Sequence, residues 1–223
     1  MAYAFLCDFD GTVSPTDIGA EFVRTFAVGD GAEHRALLER WLGGTLGHRE
    51  LTVAECARVR VSRPAALEFV RGFTLDPHFA PFARAARAAG HAVMVVSEGF
   101  DFYIEALLER EGLADLPRAS NHARFENGGV IPEFPDLPDA CPGCGTCKSH
   151  HVAQWRDRGF VTVLVGDGFS DRCGARAADR VLARGDLLAW CGRERIAAVG
   201  FESFADVTAA AHRLPGAGAW ARA

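Results

Sequence analysis

Four short apolar runs, at 4–7, 92–96, 161–165 and 181–183, are each bounded by Gly, Asp or Ser and each followed by a segment with helical spacing. No other feature restricts the fold as much. Short apolar runs read as strands buried on both faces, and helical crossovers between them imply a parallel sheet with helices on both faces, an α/β architecture. Sheets of this kind bind ligands beyond the carboxyl ends of their strands, so the chemistry belongs just after each run. Three polar clusters stand there: Asp8 and Asp10 in "CDFDGT", Ser97 in "VVSEGF", and Asp167 and Asp171 in "VGDGFSD".

The first cluster raises a question of charge. In an extended segment, residues two apart face the same side, so Asp8 and Asp10 bring like charges together at a cost that calls for a positive partner. A divalent hard cation answers this best. Magnesium takes oxygen ligands and keeps several waters, so one or two carboxylates and a substrate phosphate are enough to hold it. Asp8 and Asp167 are the candidate ligands. Gly11 and Thr12, in a loop leading into a helix, offer backbone N–H groups to phosphate oxygens, and Gly11 permits close approach.

Between the first and second runs the chain is far longer than one crossover requires, and it reads as helices. The stretches "TDIGAEFVRTFA", "AEHRALLERWL", "ELTVAECARVRV" and "PAALEFVRGF" carry apolar residues at three- and four-residue steps, separated by Gly or Pro. The organisation expected is a core of residues 1–15 and 77–223 with a helical cap inserted over 16–76. Phe22, Phe26, Leu37, Leu38 and Trp41 read as the cap's own core, with one or two aromatics left to line a substrate chamber. A second interruption, 121–147, combines a hairpin turn at Asn127-Gly128-Gly129 with a Pro- and Cys-rich loop. The tail after Pro215 reads as frayed.

Composition narrows the partners. The net charge is -5 and nearly all the positive charge is Arg spread along the chain, which provides no basic field for nucleic acid. No run approaches the roughly 20 apolar residues of a membrane span, and the opening segment lacks the basic region of a signal peptide. A cytoplasmic protein acting on a small molecule is expected. Of seven cysteines, Cys7, Cys56, Cys173 and Cys191 stand alone and read as small buried groups in a reduced compartment. The other three form "CPGCGTC", two Cys-x-x-Cys steps sharing Cys144, with His150 and His151 nearby. Three thiolates and a His would complete a zinc tetrahedron; Cys141, Cys144 and Cys147 equally suit packing in a Gly-rich loop. His122 reads as a polar hairpin residue rather than a catalyst.

Taken in order and spacing, "DFDGT", "VVSEGF", Cys147-Lys148 and "GDGFSD" resemble the motifs of the haloacid dehalogenase-type phosphatases. The match spans most of the chain and implies a three-layer, Rossmann-like core with an inserted helical cap. Within that superfamily the sequence is similar to the phosphoserine-phosphatase-like branch. More narrowly, "SEGFDFYI" at 97–104, "NHARF" at 121–125 and a Cys-rich loop running into Lys148 resemble the methionine-salvage enolphosphate phosphatases.

The resemblance implies a magnesium-dependent phosphatase with a role for each matching residue. Asp8 is the nucleophile that forms an aspartyl-phosphate, and Asp10 is the acid for the leaving alcohol and later the base for water. The backbone carbonyl of Asp10 also faces the metal, and Asp167 binds it directly. Ser97 donates to the phosphoryl group, Lys148 offsets the charge around Asp8, and Asp171 holds a metal-bound water or orients Lys148. Carbon–halogen displacement gains little from a second acid or a metal, so phosphate chemistry is favoured over the reaction that names the superfamily.

The departures concern the substrate. Glu98 stands where the phosphoserine enzymes carry Gly, and it either repels substrate, selects a cationic one or points outward. Asp17 replaces a Glu that reads an amino group in those enzymes, and it also suits a helix N-terminus. Arg58 or Arg60 is the candidate for a substrate carboxylate. Three rivals remain at this level: phosphoryl transfer to an acceptor other than water, a non-catalytic phosphometabolite-binding protein of the same fold, and a zinc-dependent interaction module centred on the Cys-rich loop.

Overall fold

The computed structural model describes residues 1–135, 141 and 143–215. The tail after Pro215 and residues 136–140 and 142 of the Pro- and Cys-rich stretch lie outside the described residues. A seven-stranded sheet in the order β4-β3-β2-β1-β5-β6-β7 forms the centre. Its strands are β1 (Tyr3–Cys7), β2 (Ala92–Phe100), β3 (Arg118–Glu126), β4 (Gly129–Glu133), β5 (Val161–Gly166), β6 (Arg180–Ala183) and β7 (Val199–Gly200). All neighbours run parallel except β3 and β4, the antiparallel hairpin at one edge.

Central β1 shows why the fold is layered. Every residue of it is buried; Tyr3, Phe5 and Cys7 belong to the apolar cluster on one face, and Ala4 and Leu6 to the cluster on the other. Strand β5 divides likewise, with Val163 and Val165 on the first face and Leu164 on the second. A strand read from its continuous apolar run is thus covered on both sides, as parallel strands require. Because β2 lies on one side of β1 and β5 on the other, the chain reverses its direction of travel at β1, and the crevice of such a sheet opens there.

Between β1 and α5 (Phe79–Ala88) lie four helices, α1 (Ile18–Phe26), α2 (Gly31–Leu42), α3 (His48–Cys56) and α4 (Arg63–Val70). They do not share a core of their own. Phe22 and Val70 join the same apolar cluster as Phe5 and Phe102, and the Phe22 ring lies 5.3 Å from Phe102 of α6 (Asp101–Arg110). Helix α2 buries none of its residues. Phe22 and Phe26 therefore pack as expected of apolar residues, but Leu37, Leu38 and Trp41 are only half-buried and form a roof rather than an interior.

Two strand boundaries also differ from expectation. Strand β2 runs past Val96 to Phe100, with its register to β3 shifting between those residues, so Ser97 and Glu98 sit within an irregularity at the strand end. Such bulges re-aim side chains beside active sites. Strand β3 begins at Arg118, before the expected interruption, and pairs with β2 through Val95 and Val96; the hairpin is an extension of the sheet, not an insertion into it. The remaining helices are α7 (Lys148–Asp157), α8 (Arg172–Ala177), α9 (Gly185–Glu194) and α10 (Phe204–Ala211). No helix of the described residues is long and apolar enough to cross a membrane.

Candidate active site

Asp8 leaves the end of β1, and its backbone N–H donates to Val165 on β5 at 2.9 Å, so the neighbouring strand fixes where the carboxylate points. The chain then turns at Gly11, with φ of +78°. A side chain at that position would overlap the Asp167 carboxylate as well as strain the backbone. This turn brings Asp8 and Asp167 together although 159 residues separate them. Thr12 donates its hydroxyl to Asp167 at 2.7 Å and its N–H to the Phe9 carbonyl at 3.2 Å. It holds a carboxylate and closes a turn, instead of offering its donors to phosphate as expected.

Lys148 opens α7 and is 1% exposed. Its ammonium donates to Asp8 at 2.6 Å, to Asp171 at 2.6 Å and to Ser170 at 3.1 Å. The other Asp171 oxygen accepts the N–H groups of Asp167 and Gly168, each at 3.0 Å. Asp171 is thereby fully engaged in orienting Lys148 and shaping the turn that presents Asp167. Burial acts against the Lys148 charge, but Asp171 and Asp8 outweigh it and raise its pKa above the ordinary range.

Charge in this floor does not balance. Oxygens of Asp8, Asp167 and Asp171 lie within 4.8 Å of one another, and three carboxylates against one ammonium leave two negative charges in excess. Burial, and after it the Asp171 carboxylate, pushes both Asp8 and Asp167 above the usual carboxylate range. Buried charge without compensation costs several kcal/mol. With Asp171 committed to Lys148, the open oxygens belong to Asp8 and Asp167, an all-oxygen donor set that fits a magnesium ion.

Asp10 has a different environment. One oxygen accepts the N–H of Ile18 at 2.8 Å and of Gly19 at 3.4 Å, at the start of α1, while the other accepts the Tyr103 hydroxyl. Burial, and then the nearby Asp17, push its pKa up to about 7 against these hydrogen bonds. A carboxyl group so placed both holds and releases a proton near neutrality. Gly99 makes the arrangement possible, since a Cβ there would collide with the Tyr103 hydroxyl and Asp10. Neither Tyr103 nor Gly99 stood out in the sequence as a functional residue, although a glycine inside a strand is itself a sign of close approach.

Ser97, 1% exposed, lines the same pocket and accepts the Gly99 N–H at 2.9 Å. Glu98 lines it too, yet both its oxygens are taken: one by the Gly145 N–H at 2.8 Å, the other by His48 of α3 at 3.2 Å. It joins the roof to the Cys-rich loop rather than standing free to select substrate. Asp17 caps α1 through the Ala20 N–H at 2.8 Å and also lines the pocket. Arg58 and Arg60 do not reach it. Arg58 donates to the carbonyls of Val28 and Asp30, and Arg60 to those of Ala57 and Val59. Both satisfy backbone acceptors in the connections between roof helices. His122 pairs with Asp101 on the hairpin, away from the pocket.

The roof is apolar and acidic. Trp41 packs its ring 4.9 Å from Phe169 and 5.4 Å from His48, which links α2 to the turn carrying Ser170 and Asp171. Leu38, Leu51 and Val23 complete the apolar side, and Glu55, paired with His34 at 2.7 Å, stands among them. Among the described residues lining the pocket's walls and roof there is no Arg or Lys.

The model of the haloacid dehalogenase-like hydrolases matches residues 5–176. A 2-hydroxy-3-keto-5-methylthiopentenyl-1-phosphate phosphatase of Brevibacillus brevis is 32% identical over 186 residues, covering 81% of this chain and 82% of that protein. The protein of the same name from an Exiguobacterium species is 31% identical over 214 residues, 94% of this chain and 97% of that one. Among solved structures, a substrate-bound phosphoserine phosphatase superposes with a TM-score of 0.72 at 18% identity, covering 94% of this chain and 98% of that one.

Proposed function

The chain belongs to the haloacid dehalogenase-like hydrolases and is a phosphatase of a small-metabolite phosphomonoester, and we propose that it works through an aspartyl-phosphate on Asp8 with magnesium as cofactor. The observation that carries this reading is the pairing of a buried, Lys148-bound Asp8 with an Asp10 whose pKa stands at about 7. Asp8 attacks phosphorus while the protonated Asp10 delivers its proton to the departing oxygen. Asp10, now ionised, takes a proton from water as that water attacks the phosphoaspartate, which releases phosphate and restores both residues. Lys148 holds Asp8 in line and offsets the charge gathered on the phosphoryl oxygens, to which Ser97 donates. Asp8, Asp167 and the Asp10 carbonyl would hold magnesium, which would supply the further positive charge that lets two anions meet.

For substrate we propose the 2-hydroxy-3-keto-5-methylthiopentenyl-1-phosphate of the relatives' names. Two features support it over phosphoserine: the absence of Arg and Lys from the described walls and roof, which leaves a substrate carboxylate without a guanidinium, and the apolar patch of Leu38, Trp41 and Leu51, which suits a methylthio tail. Trp41 together with Asp17 and Glu55 favours a second reading, a cationic ester such as phosphocholine.

The test is phosphate release with magnesium from the enolphosphate, phosphoserine, phosphocholine, phosphoethanolamine and sugar phosphates. The enolphosphate is expected to exceed the others in kcat/KM by at least about tenfold. A preference for phosphoserine removes the substrate assignment; a preference for phosphocholine installs the second reading. Release of phosphate that survives Asp8→Asn removes the mechanism.

A further inference from the structure

We propose that Cys141, Cys144, Cys147 and Cys173 form a tetrathiolate zinc site that fastens the start of α7 to α8. The first three thiols converge, with sulfurs within 4.8 Å of one another. At a Zn–S bond of about 2.3 Å, two thiolates on a tetrahedron stand about 3.8 Å apart, so a contraction of about 1 Å brings these three sulfurs to ligand spacing, with Cys173 moving in from outside the group as the fourth. Cys173, which the sequence placed among isolated packing residues, lies beside Cys144 and donates its thiol to the Ser170 carbonyl at 3.9 Å, in the turn that precedes α8. His150 is not the fourth member, since its ring is paired with Gln154 at 2.9 Å along α7.

A second feature is that the loop is fastened from outside, which holds its sulfurs in position before metal arrives. Gly145 donates to Glu98 at 2.8 Å, Thr146 to Asn121 at 3.2 Å, and Arg49 of α3 to the Gly143 carbonyl at 3.1 Å. Cysteines that only filled space would need neither convergent sulfurs nor a loop fastened at three points.

Position gives the site a consequence. Cys147 immediately precedes Lys148, and Cys173 lies two residues after Asp171. Zinc at these sulfurs ties together the two segments whose side chains make the Lys148–Asp171 ion pair. Soft thiolate ligands keep this cation distinct from the magnesium expected at the carboxylates.

Metal analysis of the untagged protein, grown with zinc and gel-filtered without chelator, is expected to find about one zinc per chain. Replacement by cobalt is expected to give intense tetrahedral d–d bands together with sulfur-to-cobalt charge transfer. Cys173→Ser should keep a cobalt spectrum with weaker charge transfer and bind zinc at least about tenfold less tightly, as loss of a ligand costs no less than loss of an outer partner. Cys191→Ser, on α9 and outside the sulfur cluster, should change neither. Metal-free protein that takes up no cobalt, a cobalt spectrum without charge transfer, or zinc content unaltered in Cys144→Ser/Cys147→Ser overturns the site. A Cys173→Ser spectrum identical to the parent's removes Cys173 from it. None of these readings depends on catalysis, so failure here leaves the phosphatase reading untouched, and the reverse.

Discussion

On the floor of the pocket one ammonium, Lys148, holds two buried carboxylates at 2.6 Å each. On the roof, Leu38 and Trp41 come from a helix that buries none of its residues and touches the floor mainly through the Phe169 ring. The first region is costly to disturb, because removing any charge strands another in a dry site. The second is held by apolar contact and a few polar ties at its edge, His48 to Glu98 and Arg49 to Gly143 among them, and can shift without breaking the fold. Chemistry is thus assigned to the region that cannot move, and substrate choice to the region that can.

The sharpest way to break the comparison is to attack the floor. Asp8→Asn removes the nucleophile with little change in shape, and phosphate release is expected to fall by at least about 10⁴-fold; residual activity within tenfold of the parent assigns the attack elsewhere. Lys148→Met leaves Asp8 and Asp171 without their cation. In magnesium-free buffer it should lower unfolding stability by about 3–5 kcal/mol, seen as a lower urea midpoint at unchanged m-value. An unmoved midpoint would mean that the carboxylates simply take up protons.

The Asp10 pair refines the floor further. With its pKa at about 7, Asp10 loses the proton needed for the leaving group as pH rises through that value, so single-turnover transfer to Asp8 should decline on the alkaline side. The Tyr103 hydroxyl favours the ionised form. Tyr103→Phe therefore raises the Asp10 pKa and should move this limb upward by about one pH unit, the worth of one charge-assisted hydrogen bond; a downward or absent shift contradicts the assignment.

Roof substitutions should affect binding instead. Trp41→Ala is expected to raise KM about tenfold, equivalent to roughly 1.4 kcal/mol of lost apolar contact, with kcat within about threefold; equal losses in kcat would place Trp41 in the catalytic machinery. Smallest of all, Arg58→Ala should leave KM within about twofold, because its guanidinium serves backbone carbonyls between α1 and α2.

The same division governs how much the sequence discloses. Asp8, Ser97, Lys148 and Asp167 were each legible because each stands at the end of an apolar run or the start of a helix, and the parallel sheet brings such ends to one edge. Lys148 is in addition the chain's single lysine. Thr12 was placed in the loop, but nothing local tells that its backbone N–H closes a turn on the Phe9 carbonyl instead of facing phosphate. Leu37, Leu38 and Trp41 carry the helical spacing of core residues, and only the absence, among the described residues, of a helix packed above α2 leaves them as a roof.

The sequence by itself therefore determined the sheet, the carboxylate floor and the reaction class, because strand ends and their polar neighbours follow from short-range pattern. Only the tertiary structure decided that Tyr103 meets Asp10 across 93 residues, that Glu98 is tied to Gly145 and His48, that Arg58 and Arg60 turn away from the pocket, and that Cys173 joins a loop it follows by 26 residues at Cys147. Each of these depends on how helices pack on the sheet. Packing is set by the sum of many weak contacts spread along the whole chain, and no short stretch of sequence records that sum.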